Sequence, residues 1–523
     1  MSTYETLQQS NALRRYRKRL SKEYPMEPPT GGLNTRESLD NIPERDAVVL
    51  ENWTPDLGSL RVRGGRREHT DSDDIDGHTP SHVESLMVYE SGSAKELLAG
   101  EYGATNTCVI YNATSIGAPG DPVLKDSLAT ARFDSTNFEG NLIVVGNGIT
   151  PQTYNGTVMT NLVIDFDGGG ARTDVIGCLS HKNRMYYWVN NAPDVWYTEL
   201  FTPGATATKF PLSFVSRKGG RLVKMATWTQ DGGAGPDDLA VFIMSSGEVL
   251  IYRGSSPAAY ADWALVGIYD IGVPISDRSV VKFGTDLIVS TELDYVYFSD
   301  VIQGKEARQK KTKITGAVKD AVRDYGTNFG WCTAIFNAGK LGIFNVPVTT
   351  NSVAKQHVVN LITGAWTVWT GHNANCWTEF NGKLYFGGAD GKIYQAEYQY
   401  DDEGSPIQSI VQISWNKLKY PSNKRFIGLH EHYRVGSRIN VSNEFATDYG
   451  VFPSQGYPSE TETVGTDWGS DWGSVWTSGG ETMNDWNLIY GHGRTVSMKK
   501  KLHTQQLVEW YGMTWLYEEG SRL

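Results

Sequence analysis

Two acidic clusters and four isolated cysteines are the residues of this sequence whose types and spacing could support chemistry. The first cluster, residues 71–76, spaces its carboxylates like a calcium-binding loop. However, Ile75 stands where the third ligand should be, and His82 stands where the closing glutamate should be. The pattern therefore favours a solvated acidic loop over a calcium site.

The second cluster, residues 467–476, contains the sequence Asp-Trp-Gly-Ser twice. Asp467 and Asp471 have the Asp, Gly and Trp spacing of the Asp box of sialidase-type propellers, but Gly465 and Gly469 occupy its Ser/Thr position. That box is a structural element within propeller blades, whereas this cluster lies near the C-terminus. We expect a tryptophan-lined loop or an inter-subunit packing surface here, with carbohydrate contact as the alternative.

The cysteines are Cys108, Cys178, Cys332 and Cys376, which lie far apart and within apolar runs. Buried free thiols are the expected state, because a zinc site needs closely spaced ligand pairs. The sequence has no P-loop, no His-Glu-x-x-His motif and no Gly-x-Ser-x-Gly motif. We therefore predict no enzyme activity, no catalytic residue, no cofactor and no metal.

A strongly basic stretch near the N-terminus is a candidate for binding a partner. Leu13, Tyr16 and Leu20 are spaced three and four residues apart, which predicts a helix with a narrow apolar stripe. Docking onto an acidic partner, phosphate binding, and a solubilising, partly disordered arm are the three interpretations of this stretch. The cations assigned to docking are Arg14, Arg15, Arg17, Lys18 and Arg19.

A degenerate repeat dominates the elements around these residues. Each copy contains a turn, a short apolar strand, a Gly/Asn/Asp turn and a second strand rich in Tyr or Trp, and residues 381–395 are the last copy. The period varies between roughly 40 and 55 residues, as in four-stranded blades with variable loops. Seven copies can be counted, with six as the alternative. The sequence predicts an all-β fold with a β-propeller of about seven blades.

The repeats divide the 523-residue chain into three regions. Residues 1–80 are expected to form an N-terminal arm and platform segment, residues 81–400 the propeller, and residues 407–523 a C-terminal β-rich platform domain. The two flanking regions should fold together, because neither has an obvious independent core. No apolar run approaches the ~20 residues that span a bilayer, and the first twenty residues lack a signal-peptide core. We expect synthesis in the cytoplasm and no stable membrane insertion.

Both ends of the chain resemble tail proteins of short-tailed bacteriophages. The resemblance is carried by residues 31–65, with Gly-Gly-Leu-Asn at the start and Glu-Asn-Trp-Thr-Pro further on, and by residues 505–520, which resemble the family's final β-hairpin. The closest family is the tail hub or nozzle, of the type called a DNA stabilisation protein. The matching residues, with structural or assembly roles, are Gly31, Gly32, Leu33, Asn34, Asn52, Trp53, Trp510, Gly512 and Trp515.

This resemblance implies a virion structural protein of the tail. Its copies would form a hexameric ring that continues the channel of the portal and the head-to-tail adaptor. The ring would retain and conduct genomic DNA without sequence-specific binding, and would anchor tail fibres or spikes. On this basis the basic stretch is expected to dock onto the adaptor.

The net charge of −11 agrees with a DNA conduit but does not require one. An acidic channel wall would let DNA slide without adhering, and an ordinary solubilising surface would have the same charge. The alternative function is a phage propeller enzyme or lectin that acts on host surface glycans, and a third is a cytosolic propeller scaffold.

Overall fold

A computed structural model describes residues 21–70, 79–104, 107–116, 123–231, 236–259, 261–302, 312–437, 439–453, 456–458 and 481–520. The chain divides into two compact units. The propeller unit is Arg63–Ser405, and the terminal unit combines the residues up to Val62 with those from Pro406 onward. Among the described residues, no helix is both long and apolar enough to cross a bilayer.

The first strands of the terminal unit are β1 (Lys22–Met26), β2 (Gly32–Leu33), β3 (Asp46–Glu51), β4 (Trp53–Pro55) and β5 (Leu60–Val62). Those of the propeller unit are β6 (Arg66–Thr70), β7 (Pro80–Ser91), β8 (Ala94–Gly103), β9 (Cys108–Asn112), β10 (Val123–Leu128), β11 (Asp134–Phe138), β12 (Asn141–Val145), β13 (Gln152–Tyr154), β14 (Met159–Asn161), β15 (Ile164–Phe166), β16 (Val175–His181), β17 (Arg184–Val189), β18 (Val195–Thr198), β19 (Ala205–Phe210), β20 (Leu222–Asp231), β21 (Pro236–Met244), β22 (Glu248–Arg253), β23 (Ala264–Asp270), β24 (Val280–Phe283), β25 (Asp286–Ser290), β26 (Tyr295–Tyr297), β27 (Cys332–Phe336), β28 (Leu341–Thr349), β29 (Val353–Asn360), β30 (Trp366–Thr370), β31 (Ala374–Phe380), β32 (Lys383–Gly388) and β33 (Ile393–Ala396). The helices of this unit are α1 (Phe298–Ile302), α2 (Thr315–Tyr325) and a 3-10 turn at Leu212–Phe214. The terminal unit then continues with β34 (Ile407–Ile413), β35 (Lys424–Val435), β36 (Val441–Thr447), β37 (Glu481–Gly493), β38 (Val496–Thr504) and β39 (Val508–Glu519).

The described residues of the propeller unit include six separate sheets of three to five strands. Their strand orders are β10-β9-β8-β7, β11-β12-β13-β14, β15-β19-β18-β17-β16, β20-β21-β22-β23, β24-β25-β26 and β31-β32-β33-β6. The innermost strands β7, β11, β16 and β20 contact one another in turn, and β31 contacts β7. This successive contact of sheets is the arrangement of a β-propeller.

The prediction of about seven blades is corrected to six separate blade sheets. Residues 340–369, which are one of the seven copies of the repeat, lie in the antiparallel meander β27–β30. Its strands belong to a larger sheet, so it does not form a separate blade sheet. Its first strand, β27, contacts both β24 and β31, so the meander lies in the ring between the fifth sheet and the last.

The middle strands of the blades are apolar on both faces because each is covered by a neighbour on either side. All six residues of β17 are buried. Tyr187 packs with Ile143 of the preceding blade, whereas Tyr186 packs with Phe242 of the following blade. Alternate residues of a strand point to opposite faces, so adjacent tyrosines serve two different cores.

The propeller unit closes by pairing its first strand with its last. Strand β6 is antiparallel to β33, so one blade contains residues from both ends of the unit. The predicted propeller boundaries were residues 81 and 400. The compact unit instead begins at Arg63 and ends at Ser405, because the pairing of β6 brings the preceding residues into the propeller.

The terminal unit is built from strands of both chain ends. One sheet has the order β37-β35-β39-β5-β4, with β1 also paired to β39. Other strands of the unit have the order β3-β34-β38-β36, with β2 parallel to β3. Its interior includes a buried charge pair in which Lys500 Nζ donates to Glu431 Oε1, and Lys500 Nζ also donates to the hydroxyl of Tyr433. Burial lowers the pKa of Lys500 despite this carboxylate.

All four cysteines are free and buried, as predicted. Burial raises the pKa of Cys332 and of Cys376 to about 12, so both are thiols at neutral pH. Such thiols are packing residues, not nucleophiles. Among the described residues, no group of three or more His, Cys, Asp or Glu side chains is arranged to hold a metal ion.

Two fully buried histidines of the propeller unit should make its stability depend on pH. Burial lowers the pKa of His357 to about 3 and that of His372 well below its usual value. The unfolded chain therefore binds more protons than the folded chain below pH ~6.5, and stability falls as the pH falls from there toward 3. Each histidine should contribute a loss that approaches roughly 1 kcal/mol per pH unit once the pH is well below 6.5.

The substitution His372→Phe tests this expectation. The ring of His372 lies among Trp369, Trp377 and Phe386, and neither of its nitrogens has a hydrogen-bond partner among the described residues. Phenylalanine can therefore replace it without losing a bond. Urea unfolding at pH 7, 6 and 5 should show that the free energy of unfolding falls less with decreasing pH in the variant than in the unmodified protein. The same dependence on pH in both proteins would show that His372 does not cause it.

Candidate functional site

The predicted docking residues and both acidic clusters lie outside the described residues. This applies to Arg14, Arg15, Arg17, Lys18 and Arg19, to residues 71–76, and to Asp467 and Asp471. Residue 21 is the first described residue after these cations. Lys22 there opens β1 and forms an ion pair of 2.8 Å with Glu519 of β39.

The Gly-Gly-Leu-Asn sequence packs against the start of β3. A Cβ atom at Gly31 would lie 2.1 Å from Asp46 Oδ1, and Gly32 has a φ of 83°, so each position favours glycine. Leu33 is buried, and Asn34 Nδ2 donates a hydrogen bond of 2.8 Å to Asp46 Oδ2. The four residues therefore fix the course of the chain into β3.

Asn52 and Trp53 join the two ends of the chain. Asn52 has a φ of 56°, and its Nδ2 donates to the carbonyl oxygen of Gln408 at 2.7 Å. Trp53 is fully buried, with its ring centroid 6.4 Å from that of Trp510. These contacts place residues separated by most of the sequence in one core.

The remaining matched residues complete the same core. Trp510 is fully buried, and its Nε1 donates to the carbonyl oxygen of Gly512 at 3.0 Å. Trp515 is also fully buried and meets Phe426 edge to face. All nine residues that carry the resemblance lie in the terminal unit, and the side chains among them are buried. They build the unit and do not offer a binding surface.

A polar cavity of the propeller unit was not predicted from sequence. It has a volume of about 770 Å³ and lies where the innermost strands of several blades begin. We call it the central cavity. It is lined by the cations Arg132, Arg221, Lys224 and Arg278, by the carboxylates Glu84, Asp134 and Asp277, and by His82.

Glu84 binds two other side chains that line the central cavity. Its carboxylate accepts hydrogen bonds from Arg132, with Nε and Nη2 both 3.2 Å from Oε1, and His82 Nε2 lies 3.3 Å from the same oxygen. Burial alone would raise the pKa of Glu84, but its bonds to His82 and Arg132 outweigh burial and lower it. This carboxylate is therefore charged at neutral pH.

Two further ion pairs line the central cavity. Lys224 Nζ lies 2.7 Å from Asp134 Oδ2 and 5.4 Å from the ring centroid of Trp188. Arg221 Nη2 lies 2.7 Å from Asp277 Oδ1. Its other terminal nitrogen, Nη1, is buried with no hydrogen-bond acceptor among the described residues. A buried donor left without an acceptor costs about 1–3 kcal/mol.

Arg278 differs from the other three cations because its hydrogen bonds go to neutral oxygens. Nη1 donates to the Glu84 carbonyl at 2.5 Å, and Nη2 donates to Ser85 Oγ at 2.8 Å and to the Phe133 carbonyl at 3.3 Å. No carboxylate of the described residues pairs with it. Its Cζ lies 5.7 Å from the ring centroid of Phe329.

The three arginines share one sequence position relative to the blades. Arg132, Arg221 and Arg278 each lie one or two residues before an innermost strand, namely β11, β20 and β24. Aligning the repeats at these strands would have shown the coincidence. The later, more apolar strands that define the repeat in the sequence do not carry this signal.

The strand order and this cavity define the chain as an all-β protein whose larger unit is a β-propeller. No protein-family model and no curated protein matches the sequence. Among solved structures, the chain is similar to BBS1N in its complex with ARL6DN. That match has 9% identity and a TM-score of 0.37, and covers 65% of this chain and 98% of the other. At this level the similarity carries no functional argument.

Proposed function

We propose that this chain is a structural protein of a bacteriophage tail, of the hub or nozzle class. The observation that supports it most is the meeting of Trp53 and Trp510. The two stretches that resemble the family, one near each end of the chain, supply the core of one unit. Both ends of the chain resemble the same family, and this has one physical cause if the two ends fold into one platform domain.

In this proposal the terminal unit is the platform, and its copies contact one another in a ring of six. Strand β37 ends the strand order of its sheet, and its outward side chains form an apolar row. Trp486, Leu488 and Tyr490 are 53%, 74% and 72% exposed. A long edge strand with such a row readily takes up another chain. We assign a second copy of this protein to the row, because a ring requires contacts between copies.

The remaining partners follow from the same proposal. The ring continues the channel of the portal and adaptor, genomic DNA passes through its lumen, and fibres or spikes attach outside. The stretch that contains Arg14 to Arg19 docks onto the adaptor. The protein has a structural and not a catalytic role, and its place is the tail of the virion.

The mass of the purified protein tests the ring directly. Native mass spectrometry, alone and with tail components from virions, should give six copies, and a monomer under all conditions would contradict the proposal. A variant without residues 1–20 keeps the whole of β1 and should form the same ring but fail to bind the adaptor. Normal attachment of that variant would exclude docking through the basic stretch.

A further inference from the structure

The central cavity of the propeller unit has the composition of a binding site for a small anion. We propose that it binds a compact ligand with one carboxylate, such as an acidic monosaccharide. The inference concerns the propeller unit alone and does not depend on a role in a phage tail. The volume of the central cavity, about 770 Å³, falls within the usual range for small-molecule sites.

The charges of the central cavity leave one cation in excess. Three of its cations pair with its three carboxylates: Arg132 with Glu84, Lys224 with Asp134, and Arg221 with Asp277. Arg278 is the fourth, and it is held by neutral oxygens only. An arriving carboxylate would therefore balance the site.

Arg221 supplies the donor for this carboxylate. Its Nη1 is buried in the cavity wall without an acceptor, although Nη2 of the same guanidinium is bound to Asp277. The bond to Asp277 holds the guanidinium in place while its second donor is unused, and because Nη1 is buried, the guanidinium has to turn toward the cavity to offer that donor to a ligand. A guanidinium in this state is suited to a planar carboxylate, with which its bonds are charge-assisted.

Aromatic rings provide the apolar surface that the body of a ligand needs. Phe329 lies under Arg132, with Cζ 3.5 Å from the ring centroid, and Trp188 lies beside Lys224. Trp331 and Tyr102 also line the cavity. Sites for small ligands combine apolar and aromatic walls with a few fixed polar groups, as this one does. A sugar ring with one carboxylate matches both kinds of surface.

Titration calorimetry of the full chain with matched sugars tests the proposal. Glucuronate should bind with a saturable isotherm, and glucose, which has the same ring without the carboxylate, should not. Inorganic phosphate should bind more weakly than glucuronate. Absence of glucuronate binding, equal binding of glucose, or tighter binding of phosphate would each overturn the assignment.

Two substitutions in the cavity should change the affinity in opposite directions. Arg221→Gln should weaken glucuronate binding at least tenfold, because it removes the unused donor. Asp277→Asn should tighten it several-fold, because the competing carboxylate is lost. Asp277 is about half exposed, so its substitution leaves the fold intact even if Arg221→Gln does not.

Arg323→Gln is the matched control, since Arg323 lies exposed on α2, away from the cavity, and loses the same charge. It should bind glucuronate like the unmodified protein. If the control and Arg221→Gln weakened binding equally, the effect would be one of net charge, and the site would not be the central cavity.

Discussion

Replacing Arg63 by methionine should lower the free energy of unfolding of the propeller unit by about 3–5 kcal/mol. The side chain of Arg63 is 1% exposed and holds Asp402 in a bidentate ion pair, with Nη1–Oδ1 at 2.9 Å and Nη2–Oδ2 at 2.7 Å. It also donates to the carbonyl oxygens of Gly64 and Thr370. Methionine would leave a carboxylate and two carbonyls without their donor, at the point where the unit closes.

Urea unfolding, combined with hydrogen exchange of the β6 and β33 amides, measures this effect. Exchange in those strands should accelerate more than exchange in β12 or β17, because the closing blade opens first. The free energy of unfolding of Arg63→Lys should lie between those of the unmodified protein and Arg63→Met, since lysine keeps the charge but loses the bidentate geometry. Arg323→Met, at an exposed ion pair, should change stability by less than about 1 kcal/mol.

A loss of less than about 1 kcal/mol in Arg63→Met would show that the closure does not depend on this ion pair. Closure would then rest on the backbone pairing of β6 with β33 and on the neighbouring contacts. Among these are the Gly64 amide with Glu397 Oε1 at 2.7 Å and Lys392 with Glu68 at 2.6 Å.

The substitution Leu488→Asp should prevent formation of the proposed ring without unfolding the protein. Leu488 is 74% exposed at the centre of the apolar row of β37, so the isolated chain loses no core packing. In a ring the new carboxylate would be buried against a second copy without a partner. Such a change at the centre of an interface typically costs 2 kcal/mol or more, which is roughly a 30-fold loss of affinity per contact.

Light scattering of the eluting protein over a range of concentrations would measure the change in assembly. Leu57→Asp is the matched control, because Leu57 is 75% exposed in the turn between β4 and β5 of the same unit. The control should assemble normally. A ring that survives Leu488→Asp, or one that the control also disrupts, would place the contact between copies elsewhere.

Sequence reasoning succeeded where the signal is local. The run from Asn141 to Val145 is apolar after its first residue, a pattern typical of a strand covered on both faces, and β12 is buried from Leu142 to Val145. The buried cysteines followed from the same reasoning. A middle strand of a blade has a recognisable sequence, because the neighbouring blades cover both of its faces and exclude polar side chains.

Sequence reasoning did not detect features that depend on distant pairing. Nothing in residues 66–70 indicates that they complete a blade with Ile393–Ala396, since the pairing is through backbone hydrogen bonds that any side chains permit. The predicted number of blades differed from the observed number for a related reason. Residues 340–369 have the pattern of a blade, but the pattern cannot show which sheet their strands join.

The central cavity was missed because its residues come from many blades. Arg132, Arg221 and Arg278 are unremarkable in their own neighbourhoods, and only the ring brings them together. By contrast, Trp53 and Trp510 were singled out through resemblance alone. Their contact gives that resemblance a physical reason that the sequence itself does not contain.

The interruption of the terminal unit by Arg63–Ser405 sets an order for folding during synthesis. Strands β3 and β5 leave the ribosome early, but β34, which pairs with β3, and β39, which pairs with β5, follow only after the entire inserted unit. At roughly 5–20 residues per second the delay is on the order of tens of seconds. Throughout this time the nascent N-terminal strands have unpaired edges, which makes them targets for chaperones and for aggregation in the crowded cell.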